Sequence, residues 1–235
     1  MTANMNIILI GAQGSGKGTQ AELLSREFDL KSLASGELLR DAMDRNTPSG
    51  QKARPYYDRG DLVPDDIIVG MIVEHLDELD GKRGIVLDGF PRTNAQAYAL
   101  DVALVNRGQQ VNWAIYLDAP RELLVERLSG RYICKANGHV WNIRTRQPKM
   151  PGICDLDGSP LYQRNDDTGE AVRHRLDIFF KETIHLVEYY EARSKLLRID
   201  ATKSIQEVNE AVFAALEARG MTPVMAAQSE RIASQ

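Results

Sequence analysis

The chain of 235 residues carries 29 Lys and Arg against 33 Asp and Glu, a formal charge of −4, with 43% hydrophobic residues and two cysteines. That composition describes a globular domain with insertions. It argues against a disulfide framework and against non-specific binding to nucleic acid or to a membrane surface. No apolar stretch approaches the roughly 20 residues of a membrane-spanning helix. The N-terminal MTANMN lacks the basic-then-hydrophobic order of a signal peptide, so a cytoplasmic location is expected.

The first element is the apolar run NIILI at 6–10, read as a buried strand. It leads into GAQGSGKGTQ at 11–20, then into the helical stripe Ala21, Leu24 and Phe28. Glycines let consecutive backbone N–H groups turn inward around an anion, and the following helix presents its positive dipole end. Lys17 adds a point charge for the β- and γ-phosphates, so Gly11-x-x-x-x-Gly16-Lys17 reads as a phosphate loop. It departs from the general pattern in one place: Gly18 follows the lysine, and the hydroxyl comes one residue later, at Thr19.

A second β-rich run lies near 30–33, and residues 34–63 read as helical but interrupted by TPSG. Ile68, Met71, Ile72, His75, Leu76 and Leu79 share a helix face, with Pro64, Asp65 and Asp66 at its start and Gly81 at its end. Strand-like GIVLD follows at 84–88, and Thr93 is placed to cap a helix ending before Gly108. After the strand WAIYLD at 113–118, Ala119-Pro120 opens a helix on which Arg127 and Arg131, spaced i, i+4, are expected to share a face. Residues 130–167 carry Gly, Pro, Asn and Asp throughout with little helical period. Val172, Leu176, Phe179, Phe180, Thr183, Val187 and Tyr190 make another stripe, with Asp167 and Glu170 spaced as a capping box ahead of it. LLRID at 196–200 is the last strand, and the tail 221–235 reads as frayed or disordered.

Alternation of this kind predicts an α/β fold, a parallel sheet covered by helices on both faces. The expected core comprises 1–33, 64–129 and 168–220, with excursions at 34–63 and 130–167. Such excursions usually carry function.

Gly-x-x-Gly-x-Gly-Lys-Gly-Thr resembles the adenylate kinase branch of the nucleoside monophosphate kinases. So do SGELLR at 35–40, LVPDDI at 62–67, LDGFPRTNAQA at 87–97, RLSGRY at 127–132 and LYQRNDDTGEAVRHRL at 161–176, in the same order. The long insert between Gly130 and Asp167 is similar to the long-lid form. The resemblance implies a P-loop NTPase-type five-stranded parallel sheet of order 2-3-1-4-5, an AMP-binding subdomain at 34–63, a lid at 130–167, and the reaction ATP + AMP ⇌ 2 ADP. It implies catalytic roles for Lys17, Asp88, Arg92, Arg127, Arg131, Arg164 and Arg175. ATP is expected on Gly14, Ser15, Gly16, Lys17, Gly18, Thr19 and Arg127, with Val140 and Trp141 over its adenine. AMP is expected on Ser35, Gly36, Arg40, Leu62, Val63, Gly89, Arg92, Gln96, Arg164 and Arg175. Arg173 also matches, but two residues from Arg175 it faces elsewhere.

Phosphoryl transfer rests on positioning and charge neutralisation, and the acceptor is already an anionic oxygen. The absence of a convincing Ser–His–Asp or Cys–His arrangement fits that chemistry. Asp88, ending a strand, is the expected partner of the Mg²⁺ that accompanies ATP, through water. Closure of 130–167, hinged at Gly130 and 166–169, would keep water from the phosphates. ATP, AMP and ADP are the expected partners of a monomer. Many long-lid relatives hold zinc with C-x-x-C…C-x-x-C or C-x-x-C…C-x-x-D. Here Cys134, Cys154 and Asp157 stand at three of those positions and Asn137 at the other, with His139 two residues later. Zinc on Cys134, His139, Cys154 and Asp157, or a hydrogen-bonded polar cluster with free thiols, both remain open. So do a UMP or CMP acceptor and a GTP donor. A P-loop regulatory ATPase would want a basic stripe or an arginine finger from another subunit.

Overall fold

Every residue of β1 (Asn6–Ile10) is buried, as a central strand covered on both faces requires. The computed structural model describes residues 5–78, 84–163, 167 and 169–223. Five strands form one parallel sheet: β1, β2 (Lys31–Ala34), β3 (Ile85–Asp88), β4 (Trp113–Asp118) and, last in the chain, β8 (Leu196–Asp200). Their spatial order is β2-β3-β1-β4-β8, the expected 2-3-1-4-5. The register sets Ala34 and Leu9 beside Asp88, Ile10 beside Tyr116, and Asp118 beside Asp200. The carboxyl ends of the strands therefore lie in a row, where ligands bind in such sheets.

Helix α1 (Lys17–Phe28) packs on β3 and against α9 (Ile205–Glu217). On other contacts, α4 (Asp65–Glu78), α5 (Asn94–Val105) and α8 (His185–Glu191) pack in a row. Thr93 caps α5 as expected, its hydroxyl accepting from the Gln96 N–H at 3.1 Å. Ala21, Leu24 and Phe28 are buried, as are Ile68, Met71, Ile72 and Leu76. Leu79 and Gly81, the expected end of that stripe, lie outside the described residues. No helix among the described residues is long and apolar enough to cross a membrane.

Between β2 and α4 the chain makes a two-helix arm, α2 (Ser35–Asp44) and α3 (Pro48–Arg59). TPSG is its corner: Thr47 caps α3, accepting from the Gly50 N–H, and Pro48 takes the first helical position. A Cβ on Gly50 would lie 2.1 Å from the Ala42 carbonyl oxygen, so only glycine lets the two helices touch there.

The second excursion is an antiparallel sheet, β6 (Val140–Asn142), β5 (Arg131–Cys134) and β7 (Leu161–Tyr162) in that spatial order. It has its own small core, Cys134, Trp141 and Cys154, with Tyr132 and Leu161 packed against it.

Two expectations need correction. Helix α6 (Arg121–Ser129) stops at Gly130, and Arg131 begins β5, so Arg127 and Arg131 do not share a helix face. The stripe after 170 runs through α7 (Gly169–Ile178), a π-helical turn (Phe179–Thr183) and α8. Val172, Leu176, Phe179, Thr183, Val187 and Tyr190 are buried, whereas Phe180 is exposed, its ring edge-on to Phe179.

Candidate active site

The phosphate loop turns on Gly14 and Gly16, whose φ angles of 86° and 97° favour glycine. Their turn brings the Ser15 N–H to the Ala12 carbonyl at 3.1 Å. Lys17, at the first turn of α1, curls back to donate to that same carbonyl at 3.0 Å. The loop is short of partners: the buried Gln13 Oε1 and Ser15 Oγ have none among the described residues. Buried polar atoms are seldom left so, which fits a loop built around a ligand. Desolvation brings the Lys17 pKa down to about 8; Asp88 opposes that, and Arg92, Arg175 and Arg131 reinforce it.

A single cleft of about 1580 Å³ runs from the arm across the loop to the second excursion. On the arm side, Arg92 donates from Nε to the Gly89 carbonyl at 2.8 Å, and Ser35 donates to the same oxygen at 2.8 Å. Burial lowers the Arg92 pKa, with Asp88 pulling the other way. Gln96 accepts from the Arg92 N–H at 2.7 Å and donates to Asp65 at 2.7 Å. Arg40 donates to the Tyr57 hydroxyl at 3.1 Å. Gly36, Leu62 and Val63 line this end.

On the other side, Arg127 reaches the Ala201, Thr202 and Lys203 carbonyls at 2.8, 3.3 and 3.3 Å. Arg131 grips Asp167 with two donors, and Arg175 stands 3.7 Å from that carboxylate. Asp167, 1% exposed, thus serves as the anchor of two arginines. Gly18 and Thr19 line the cleft beside Lys17, and a Cβ on Gly18 would lie 3.5 Å from Asp88. Val140 is 45% exposed and Trp141 only 5%, so valine offers the cleft more surface while tryptophan fills the core beneath. Arg173 is exposed and away from the cleft lining, and Arg164 lies outside the described residues.

Sequence reasoning missed Tyr57, Asp65 and Asp167. None touches its partner locally along the chain; Asp65, inside LVPDDI, and Asp167, inside LYQRNDDTGEAVRHRL, were read only as residues at helix starts.

In the second excursion the ligand atoms of Cys134, His139, Cys154 and Asp157 all lie within 4.8 Å of one another. Cys134 Sγ is 3.0 Å from Asp157 Oδ2, His139 Nδ1 is 3.2 Å from the same oxygen, and Cys154 Sγ is 3.4 Å from His139 Nδ1. Metal–ligand bonds of about 2.0–2.3 Å in a tetrahedron give ligand separations of about 3.3–3.8 Å, so shifts of about 1 Å or less would let the four side chains close on a zinc ion. Asn137, at the expected second position, donates to Asp157 at 2.7 Å. The Cys134 thiol and the Asn137 amide hold the Asp157 carboxyl well below the usual range.

A strand–loop–helix phosphate cradle at the carboxyl edge of a parallel sheet, faced by arginines from the same chain, defines a P-loop phosphotransferase. The family model for adenylate kinase matches residues 9–195, and the chain belongs to that family. It is 42% identical to the adenylate kinase of Carboxydothermus hydrogenoformans over 91% of this chain and 100% of that one. With the Clostridium tetani adenylate kinase the identity is 44% over 88% and 95%, and with that of Brevibacillus brevis 44% over 87% and 95%.

Proposed function

We infer that the cleft transfers a phosphoryl group reversibly between ATP and AMP, giving 2 ADP. The observation that carries this reading is one cleft with a phosphate loop at its floor and half-buried arginines around it: Arg40 on α2, Arg92 before α5, Arg127 on α6, Arg131 on β5 and Arg175 on α7. Lys17 serves the transferring phosphoryl group, with Gly14 to Thr19 supplying backbone and hydroxyl donors. Arg92 and Arg40 hold the AMP phosphate, and Ser35, Gly36, Leu62, Val63, Gly89 and Gln96 surround the AMP. Gln96 has spare donor and acceptor capacity beyond its two bonds, so its amide can also pair with a purine edge. Arg127, Arg131, Arg164 and Arg175 neutralise charge on the transferring group, which arginine does bidentately. In the free protein Asp167 holds Arg131 and Arg175 together, so the cations stand ready before phosphate arrives.

Mg²⁺ comes with ATP as the substrate complex and neutralises phosphate charge; Asp88, beside Lys17, is the carboxylate that would hold its water shell. No side chain need take a proton, because the attacking AMP oxygen is anionic. The antiparallel sheet of the second excursion is the lid, which closes over the donor phosphates and expels water. Zinc on Cys134, His139, Cys154 and Asp157 would supply structure there, cross-linking two turns of a segment with a small core.

A coupled ADP assay tests the function: AMP should be strongly preferred to UMP and CMP as acceptor. Equal turnover with UMP would reassign the acceptor. A bisubstrate analogue spanning both sites should protect the lid from hydrogen exchange, and unchanged exchange at saturation would remove the gating role.

A further inference from the structure

The two-helix arm leaves the core at Ser35, whose hydroxyl is tied to the Gly89 carbonyl, and returns to it through Gly60 and Asp61. The return has a joint of its own. Asp61 Oδ1 lies 2.8 Å from His174 Nε2 on α7, a partner 113 positions away in sequence. A carboxylate can only accept, so the imidazole Nε2–H donates. Arg59 holds the other oxygen, donating from Nε to Asp61 Oδ2 at 2.8 Å, while its guanidinium lies over the Tyr56 ring of the same helix. Arg59, and after it His174, keep the Asp61 carboxyl below its usual range. Beside this bond the backbone of the arm itself meets α7. A Cβ on Gly60 would lie 3.2 Å from Arg175 Cγ and 3.7 Å from His174 Cδ2.

His174 and Arg175 are neighbours in sequence with different surroundings. Arg175 is half-buried, lines the cleft and stands 3.7 Å from Asp167. His174 is exposed and outside the cleft lining, and the scheme above gives it no role. Arg40 rides on the arm, whereas Arg92 and Arg175 belong to the core. The spacing of these cations therefore depends on how the arm is joined to the core, and the returning end is joined at His174.

We propose that Asp61 and His174 form a clasp that docks the returning end of the arm on α7 and so positions Arg40 against Arg92 and Arg175 for the acceptor nucleotide. His174 is thus a positioning residue, acting through Asp61 and not by touching substrate. This rests on the adenylate kinase reading and adds to it the joint that sets the acceptor site. The phosphate loop and Arg127 are carried by other elements, so donor binding does not pass through the clasp.

Two measurements separate the clasp from the reading on which it rests. Amide hydrogen exchange of the nucleotide-free protein reports the joint. In His174→Ala, exchange in α3 should quicken several-fold while that of β1 stays as in the parent. Steady-state kinetics report the function. In the same variant the KM for AMP should rise up to about fivefold, the scale of one exposed ion pair, with the KM for ATP and kcat at saturation unchanged. Asp61→Ala should do the same, and the double variant should be no worse than either single one, as partners in one contact require. His174→Lys keeps a donor within reach of Asp61 and should return the KM for AMP close to that of the parent. Unchanged α3 exchange in His174→Ala overturns the clasp, and an unchanged KM for AMP overturns its positioning role. An equal rise in the KM for ATP, additive effects of the two single variants, or a lysine variant as impaired as alanine would each overturn the proposal too. Quickened α3 exchange in a protein that makes no ADP from ATP and AMP would uphold the clasp and place the failure with the family reading.

Discussion

Lys17 should take up a proton when ATP binds near pH 8. In the free cleft its pKa is lowered to about 8, chiefly by desolvation, with three arginines adding to that and Asp88 opposing it. At pH 8 about half the molecules therefore hold a neutral lysine. A phosphate charge at about 4 Å contributes about 4 kcal/mol at an effective dielectric of ~20, and 1.36 kcal/mol corresponds to a tenfold change in proton affinity. ATP thus restores the charge almost completely, and binding at pH 8 should draw in about half a proton per site. The sign is fixed: the bound state holds more protons, so ATP affinity falls as pH rises through 8. Calorimetric titration with a non-hydrolysable ATP analogue, in buffers of different ionisation enthalpy, measures the uptake directly. At pH 6 this contribution should vanish because the free lysine is already charged, and Lys17→Met should abolish it at pH 8. No uptake at pH 8, or an uptake that survives Lys17→Met, would refute the placement of Lys17 beneath the phosphates.

Arg92→Ala should weaken AMP binding far more than ATP binding, as separate titrations would show; equal losses would mean that donor and acceptor sites are wrongly placed. Chelation should lower the protein's melting temperature and make both Cys134 and Cys154 reactive to a thiol reagent, whereas a hydrogen-bonded cluster would ignore the chelator. Gly50→Ala forces a methyl group onto the Ala42 carbonyl. It should destabilise the protein by about 3 kcal/mol, read by thermal melting, with AMP affinity suffering before ATP affinity because Arg40 rides on α2.

Much of the fold could be read in the sequence because its signals are local. NIILI is apolar throughout because β1 is covered on both faces, and Thr93 caps the helix that it was placed to cap. The phosphate loop announces itself through glycines that only a left-handed turn requires. Local pattern failed where geometry changed mid-segment. The i, i+4 spacing of Arg127 and Arg131 looked helical, but Gly130 ends α6 and a strand follows, and the two arginines still reach one cleft by different routes. Phe180 fell out of its stripe because 179 and 180 both fit a helical period running through 176 and 183, and only packing selects Phe179 for the core. The pairings Arg131–Asp167, Gln96–Asp65 and Arg40–Tyr57 join residues 17 to 36 positions apart, and only the folded chain selects those partners. The two cysteines, His139 and Asp157 could be named as a set from their types, but their convergence within 4.8 Å is a fact of the fold.

The lid's apolar cluster is separate from the core around the large sheet. Two cores in one chain predict two melting events of unequal depth, which calorimetry would resolve. The cluster of Cys134, Trp141 and Cys154 is far smaller than the main core, so on warming the small sheet should lose its order first while the phosphate loop keeps its shape. The protein would then still bind nucleotides yet transfer their phosphate poorly, or lose it to water. On the proposed reading, the upper temperature of useful catalysis would then be set by the small antiparallel sheet and its four metal-competent side chains, not by the larger core that carries Lys17.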